Sequence, residues 1–116
     1  MYYVYKLSIL SELVESRKIS EVIGIHGHDS DEGLPGWWEI RNRKEEDDNY
    51  FDFINHYLDI LENKYEELEK IGVVRSDISV WMYYAYDEQC NMEFSPGSLN
   101  RLGDDGVTLC ISCWLT

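Results

Sequence analysis

The amino-acid sequence predicts a single α/β domain: a two-layer sandwich with a mixed or antiparallel sheet and helices on one face. Strand-like and helix-like hydrophobic patterns alternate along the chain in the order β-α-β-α-β-(β)-α-β. Only one of the helical patterns is long. A chain of 116 residues can enclose a hydrophobic core, but these helices are too few to cover both faces of a sheet.

The first third of the chain predicts a strand, a short helix and a second strand. Residues 2–10, "YYVYKLSIL", are aliphatic and aromatic on both faces, as in a strand near the middle of a sheet. "SELVESRKISEVIG" follows as a helix, with Ser11 as its N-cap and Gly24 as its left-handed C-terminal cap. A polar loop over 26–36 then leads into the strand "WWEIR".

Apolar residues at spacings of three and four predict one helix of five turns in the middle of the chain. The stripe consists of Phe51, Ile54, Leu58, Leu61, Tyr65 and Leu68. Acidic residues occupy the other faces, Asp48 or Asn49 is placed to cap the start, and Gly72 ends the pattern. This composition is typical of a helix that lies on a sheet.

The last third predicts two strands joined through a short helix. "SDISVWMYYAY" alternates as a strand, and "NMEF" is expected to pair back as a short one. Ser95 is the expected N-cap of the helix that follows, with Pro96 at its first position and Gly103 past its end. "VTLCISCWLT" is the final strand. The uncovered face of the sheet is then expected to carry Trp81 and Tyr83, with Tyr3 or Tyr5 from the first strand.

The net charge indicates the class of partner. Twenty-three acidic residues against ten basic ones give −13, which argues against binding to nucleic acid or to an anionic membrane. Such a field attracts basic proteins and speeds their encounter, although it also serves simple solubility.

Cysteine usage and the chain start predict the compartment. Three cysteines, an odd number, argue against a disulfide framework and fit a reducing cytoplasm. Cys110 and Cys113 form a CxxC within a strand, where they point to opposite faces, so we expect buried thiols and no shared metal. No stretch reaches the roughly 20 apolar residues of a membrane span, and "MYYVYKLSIL" lacks the features of a signal peptide.

The loop "GIHGHDSDEGLPG" is the one segment that suggests metal binding or catalysis. His26 and His28 stand beside Asp29, Asp31 and Glu32, but the spacing matches no zinc or calcium motif. Nucleophile elbows, HExxH motifs and phosphate loops are also missing from the sequence. We therefore expect no metal or cofactor and no catalytic residue. A small metal-dependent or hydrolytic enzyme using the two histidines is the alternative.

Nine tyrosines and four tryptophans favour a protein-binding surface, because such rings anchor interfaces. A two-sided core or a homodimer built on the uncovered sheet face is the competing interpretation. The expected contacts with a basic partner are Asp29, Asp31, Glu32, Glu45, Glu46, Asp47, Asp48, Trp81, Tyr83, Asp87 and Glu88.

The order of motifs resembles a bacterial family called domain of unknown function 4279. "YVYKLSIL", "ISEVIGI", a polar loop and "GWWEIR" follow its pattern at the start, and "FSPGSLNRLGDDGVTLCISCWL" resembles its ending. The loop "HGHDSDEGLPG" departs from the more basic loop of that pattern. The resemblance implies a compact α/β domain without an established enzymatic activity. Small acidic proteins of this kind are also similar to immunity proteins, which neutralise a bacterial toxin such as a nuclease.

Overall fold

A computed structural model of the chain describes residues 2–29, 36–45 and 50–115, with only the backbone described at residues 28 and 29. The strands are β1 (Tyr2–Leu10), β2 (His28–Asp29), β3 (Trp37–Glu45), β4 (Ile78–Tyr86) and β5 (Thr108–Leu115). The helices are α1 (Ser16–Ile23), α2 (Phe53–Leu61), α3 (Tyr65–Lys70) and α4 (Pro96–Asp105), with a single 3₁₀ turn at Arg75–Asp77.

The strands form one mixed sheet in the order β2-β3-β1-β4-β5. β1 is central and antiparallel to both neighbours, so that Leu7 stands opposite Ile40 in β3 and Val80 in β4. β5 runs parallel to β4, with α4 in the connection between them. The predicted α/β architecture with a mixed sheet is confirmed.

The hydrophobic core lies between one face of the sheet and the helices. Leu7 and Ile9 of β1 and Trp38 of β3 are fully buried there. The α2 residues Ile54, Tyr57, Leu58 and Leu61 are 0 to 2% exposed and complete the layer. At roughly 25 cal/mol per Å² of apolar surface, burying such side chains stabilises the fold by about 1.5–3 kcal/mol each.

The predicted five-turn helix is wrong as one element, because the chain breaks it into α2 and α3 at residues 62–64. Asn63 adopts a left-handed conformation with φ of 66°. Both pieces nevertheless bury the predicted stripe, since Leu58, Leu61 and Leu68 are all buried. A spacing of three and four is kept across the break, so the periodicity alone does not reveal it.

The helix caps only partly match the predictions. Ser95 accepts a hydrogen bond from the Ser98 amide, and Gly24 ends α1 at φ of 83°, as expected. α1 begins at Ser16 after Glu15, however, so Ser11 does not cap it. Asp52 caps α2 by accepting from the Asn55 amide, in place of Asp48 or Asn49.

Gly103 lies inside α4 and not past its end. The helix continues to Asp105, and the left-handed cap is Gly106 at φ of 70°. A left-handed cap favours glycine, because glycine lacks a Cβ. Gly103 and Gly106 both meet this criterion in the sequence, so the sequence does not distinguish them. "NMEF", predicted as a short strand, has no regular secondary structure.

β1 places Tyr3 and Tyr5 on the helix side of the sheet, which corrects the prediction for these two residues. Tyr5 is buried beside Phe53 of α2, with ring centroids 4.9 Å apart. The other side of β1 carries Lys6 and Ser8, one residue out of phase. Because both sets of positions hold large or amphipathic side chains, the alternation does not say which set faces the helices.

β5 is an edge strand that is poorly covered at its C-terminal half. Ile111 is 37% exposed, Trp114 44% and Leu115 64%. Cys113 is likewise exposed, and Cys90 and Cys110 are half-buried, so the expected burial of the thiols is wrong. In the described part of the chain, no helix is long and apolar enough to cross a membrane.

Candidate functional site

Trp81 and Tyr83 lie together on the sheet face opposite the helices, which we call the open face. It carries alternate residues of the long strands: Val4, Lys6 and Ser8 in β1, Trp37, Glu39, Arg41, Arg43 and Glu45 in β3, and Ser79, Trp81 and Tyr83 in β4. The rings of Trp81 and Tyr83 are stacked, with centroids 5.5 Å apart and an interplanar angle of 9°. The Trp81 indole N–H donates to Ser79 Oγ at 2.8 Å, which fixes its orientation.

These rings cover a lysine of the same chain. Lys6 Nζ lies 5.0 Å from the Trp81 ring centroid, 5.3 Å from that of Tyr83 and 5.8 Å from that of Trp37. Lys6 is therefore only 7% exposed, although it lies on the side of the sheet without helices. The cation–π surface that these aromatics offer is already occupied by an internal cation.

An ion-pair chain continues from Lys6 across β3. Lys6 Nζ lies 3.3 Å from Glu39 Oε2, and Arg41 Nε donates to Glu39 Oε1 at 2.9 Å. Arg43 pairs with Glu45 at 3.1 Å further along the strand. Among the described side chains of the open face, three are cationic and two are anionic. Both described carboxylates of this face are thus already paired, Glu39 with Lys6 and Arg41 and Glu45 with Arg43.

A second aromatic surface lies on the helix side, at the end of the sheet where β1 begins and β3 and β4 end. It is a groove of about 550 Å³, which we call the aromatic groove. Its lining includes Tyr3, Tyr5, Phe51, Phe53, Tyr84 and Phe94. Met82, Met92 and the exposed Tyr50 complete the apolar wall.

The rings of the aromatic groove are packed against one another before any ligand is present. Tyr3 stacks on Tyr84 with centroids 4.4 Å apart and planes within 8°. Tyr5 meets Phe51 edge-on at 5.1 Å. Aromatic pairs in these geometries stabilise each other by about 0.5–1.5 kcal/mol, which favours a groove whose walls already pack in one arrangement.

Charged and polar groups line the rim of the aromatic groove. Glu93 is exposed at this rim, and Glu45 borders it at the end of β3 while its carboxylate pairs with Arg43 on the open face. Lys44 Nζ lies 5.0 Å from the Phe51 ring centroid. Burial, followed by Tyr3 and Tyr50, raises the pKa of Tyr5 to about 12, so its hydroxyl stays neutral at physiological pH. The groove thus combines an apolar floor with carboxylates at its mouth, the composition of a cleft for a basic, partly apolar segment.

Three of the predicted acidic contacts lie at this same end of the sheet. Asp87 and Glu88 are exposed and directly follow β4, and Glu45 is the last residue of β3. Only the backbone of Asp29 is described, in β2. Asp31, Glu32, Glu46, Asp47 and Asp48 lie outside the described residues.

Sequence reasoning missed the groove itself, because its lining comes from five separate segments. Two of them contain short aromatic stretches, "YFDF" at the start of α2 and "NMEF" before α4, which the periodicity assigned to a helix stripe and to a short strand. Apolar rings in connecting segments indicate packing against a surface. The strand register that brings Tyr3 beside Tyr84 cannot be read from the residues around either tyrosine.

Of the two histidines whose side chains are described, His26 lies apart from this groove and His56 lies beside its Phe51 wall. His26 is exposed and lies in a shallow pocket with Ser20 and Glu21 at the end of α1. His56 is exposed on α2, with its ring 5.1 Å from Phe51. Among side chains that the structure describes, no three His, Cys, Asp or Glu residues are grouped as metal ligands would be.

Trp38 explains the glycines and the serine around the polar loop. Its indole N–H donates to Ser20 Oγ at 3.0 Å, and the Gly27 amide donates to the same oxygen at 3.3 Å. A Cβ at Gly27 would overlap the Trp38 ring, so the backbone there lies directly against the indole. Part of the histidine-bearing segment is thus tied to the core.

Comparison with family models, with curated proteins and with solved structures gives no match. The resemblance to domain of unknown function 4279 stays a prediction.

Proposed function

We propose that this protein is a binding protein, most concretely a bacterial immunity protein that occludes the basic surface of a toxin domain. The observation that supports this most is the aromatic groove, where exposed carboxylates and a preformed apolar cleft occur at one end of the sheet. Basic side chains of the partner pair with the carboxylates, and one of its apolar side chains enters the groove.

The two kinds of groups act on different steps of binding. With a net charge of −13, the chain attracts a cationic partner over a distance of about one Debye length, roughly 8–10 Å. Glu45, Glu93 and the neighbouring Asp87 and Glu88 then orient it at the rim. The seated apolar side chain sets the lifetime of the complex, because burial at the interface centre mainly slows dissociation.

The groove suits such a partner better than the open face does. Trp81 and Tyr83 already cover Lys6, and Arg41 and Arg43 lie on the same face in β3, on the other side of β1. A cationic protein that approached those rings would meet like charges. Trp81 and Tyr83, the two predicted aromatic contacts, therefore serve only to test the open face as the alternative binding surface.

The experiment measures association and dissociation rates with the basic toxin domain encoded beside this chain. Raising the salt from about 0.05 M to about 0.5 M should slow association by about tenfold or more, because steering is screened. Unchanged association kinetics would contradict the electrostatic part. A neighbourhood that encodes no basic toxin domain would contradict the immunity role.

Matched variants locate the surface. The pair Glu88→Gln and Glu93→Gln should slow association, whereas Glu21→Gln with Glu67→Gln removes the same charge from α1 and α3 and should change it less. Tyr50→Ala removes a 77% exposed ring from the groove and should speed dissociation. If Tyr83→Ala speeds dissociation and Tyr50→Ala leaves the dissociation rate unchanged, the partner binds the open face and not the groove.

A further inference from the structure

The two edges of the sheet differ in how well they are protected against pairing with another strand. β5 forms one edge over its eight residues, and no described strand pairs with its outer side. The opposite edge is β2, which has only two residues and pairs with Trp38 and Glu39 of β3. Because an edge strand presents a row of unpaired backbone N–H and C=O groups, an edge as long as β5 offers a template for a further strand.

Charge distinguishes the two edges as well. Residues 106–116 contain no charged side chain and are the longest uncharged run in the sequence. The part of β3 that extends beyond β2 instead carries Arg41, Arg43, Lys44 and Glu45. Charged side chains and very short strands are common means by which sheet edges avoid pairing with each other, and β5 has neither.

Apolar side chains are uncovered along the same edge. Trp114 is 44% exposed and Leu115 64%, and Ile111 is exposed as well. Leu109 and Cys110, in the first half of the strand, are half-buried. The second half of β5 therefore combines unpaired backbone with apolar side chains that no described element covers.

We propose that β5 pairs antiparallel with β5 of a second copy of this chain, so that two sheets join into one across a twofold axis. Charge selects this occupant. Each chain carries −13, so most of its surface repels another copy, whereas the uncharged β5 meets its own copy without bringing like charges together. A basic partner, by contrast, finds no carboxylate side chain on β5.

The protected second edge limits the assembly to two chains. Pairing of β5 with the β3 edge of another copy would place Arg41 and Arg43 beside an apolar strand, and β2 already occupies the start of that edge. Head-to-tail pairing would extend into a filament, whereas a twofold contact between identical strands closes. The geometry thus gives a dimer and not a fibre.

The strand register determines which side chains meet. Opposite residues of the new pair share a face of the sheet, because the twofold axis is perpendicular to it. The pairing with β4 puts Cys110, Ser112 and Trp114 on the open face and Leu109 and Leu115 on the helix side. With Ser112 on the axis, Trp114 lies opposite Cys110 of the second copy and Leu115 opposite its Leu109. The exposed half of each strand is then covered by the first half of the other.

Salt should act on this contact and on toxin binding in opposite directions. It screens the repulsion between two chains of −13 and so strengthens the dimer, whereas it slows association with a cationic partner. The inference does not rest on the proposed toxin partner, because self-association is measured on the protein alone. It also differs from a dimer built on the open face, since the contact follows the sheet edge.

Sedimentation equilibrium from about 1 μM to about 1 mM protein, under reducing conditions, tests the dimer, because small interfaces dissociate in that range. The mass should rise to twice that of the monomer and no further. The dissociation constant should fall at least about threefold between about 0.05 M and about 0.5 M salt. Hydrogen–deuterium exchange should be slower at the higher protein concentration, and only in residues 109–115.

Matched variants locate the contact. Trp114→Lys puts a charge into the paired stretch and should weaken the dimer at least about tenfold. Ser112→Lys should do the same, because two ammonium groups would face each other beside the axis. Leu13→Lys adds the same charge at a 97% exposed position and should leave the dimer at least as strong as in the parent protein.

A monomer mass up to about 1 mM, growth beyond two chains, or equal dimer strength in all three lysine variants would each overturn the proposal. Exchange protection on 37–43 or 78–83 in place of 109–115 would assign the contact to the open face. Protection of 109–115 that requires a basic toxin partner, with none in the protein alone, would assign the edge to that partner and overturn pairing with a second copy. The exchange measurement needs no variant, so the test holds even where a substitution disturbs folding.

Discussion

At the scale of single residues, the Lys6–Glu39 pair is the most consequential contact in the sheet. Both side chains are less than 10% exposed, at 9% and 8%, although no described helix covers the open face. Glu39 Oε2 makes no aligned hydrogen bond within the described residues, so the Lys6 ammonium is its main compensation. Removing one member of a buried pair leaves the other charge uncompensated.

We therefore expect Glu39→Gln to lower the free energy of unfolding by about 3 kcal/mol, as is typical when one partner of a buried pair is removed. Urea denaturation measures it. Glu21→Gln, in an exposed pair with Arg17, should change stability by less than about 0.5 kcal/mol. The double variant Lys6→Met with Glu39→Leu should lose less than the sum of its single changes, and strict additivity would contradict the coupling.

At the scale of elements, the break between α2 and α3 shows how a local conformation overrides a periodic pattern. Asn63 tolerates a positive φ better than most residues, because its short polar side chain can bond locally. Lys64 then donates its amide to the Leu61 carbonyl at 2.9 Å, which closes the turn. The turn redirects the chain so that Tyr65 reaches Asp105, to which its hydroxyl donates at 2.8 Å.

The break predicts opposite outcomes for one substitution at two sites. Asn63→Ala should destabilise the protein by about 1 kcal/mol, because alanine resists the left-handed region. Asn63→Gly should leave the free energy of unfolding unchanged or raise it, because glycine adopts a positive φ readily. Asn100→Ala, within α4, should be neutral or stabilising by a few tenths of a kcal/mol, because alanine is the better helix former. Stabilisation by Asn63→Ala would indicate one continuous helix. Thermal or urea unfolding distinguishes these results.

Much of the element order could be predicted, because hydrophobic periodicity and turn residues act locally. The strand at 78–86 and the Ser95–Pro96 helix start are examples. The position of the groove could not be predicted, because it depends on which strands are neighbours and in which register. Tyr3 and Tyr84 are 81 positions apart in the sequence (84 minus 3), and their rings stack only because β1 pairs with β4.

At the scale of the whole molecule, the charge is distributed unequally between surfaces. Exposed carboxylates cover the outer side of α2 and α3, among them Asp59, Glu62, Glu66, Glu67 and Glu69. The open face, with Lys6, Arg41 and Arg43, has more cations than anions among its described side chains. The chain thus presents a negative helix layer and groove rim to a partner, with a more neutral reverse side.

The tyrosines of the helix side predict loss of stability at alkaline pH. Burial raises the pKa of Tyr5 from 10.0 to about 12, and burial also raises the pKa values of Tyr57 and Tyr65. For Tyr65 the hydrogen bond to Asp105 adds to the effect. Because folding favours the neutral phenols, their contribution is complete below pH 10 and is lost as pH rises towards 12.

Urea denaturation between about pH 9 and pH 12, with tyrosinate absorbance recorded in parallel, measures that loss. In Tyr5→Phe the free energy of unfolding should fall less steeply with pH than in the parent protein, because one phenol with a raised pKa is removed. A decline of equal slope in Tyr5→Phe, or tyrosinate formation complete before unfolding begins, would contradict the assignment.

The proposal that the aromatic groove and its carboxylates form the binding surface is tested most directly by amide chemical-shift mapping with the basic toxin domain that the proposed function requires. The account predicts that the largest changes fall on residues 43–45, 50–53, 84–88 and 91–94. Changes concentrated instead on the open face around Trp81, Tyr83 and Arg41, or no saturable change at all, would contradict it.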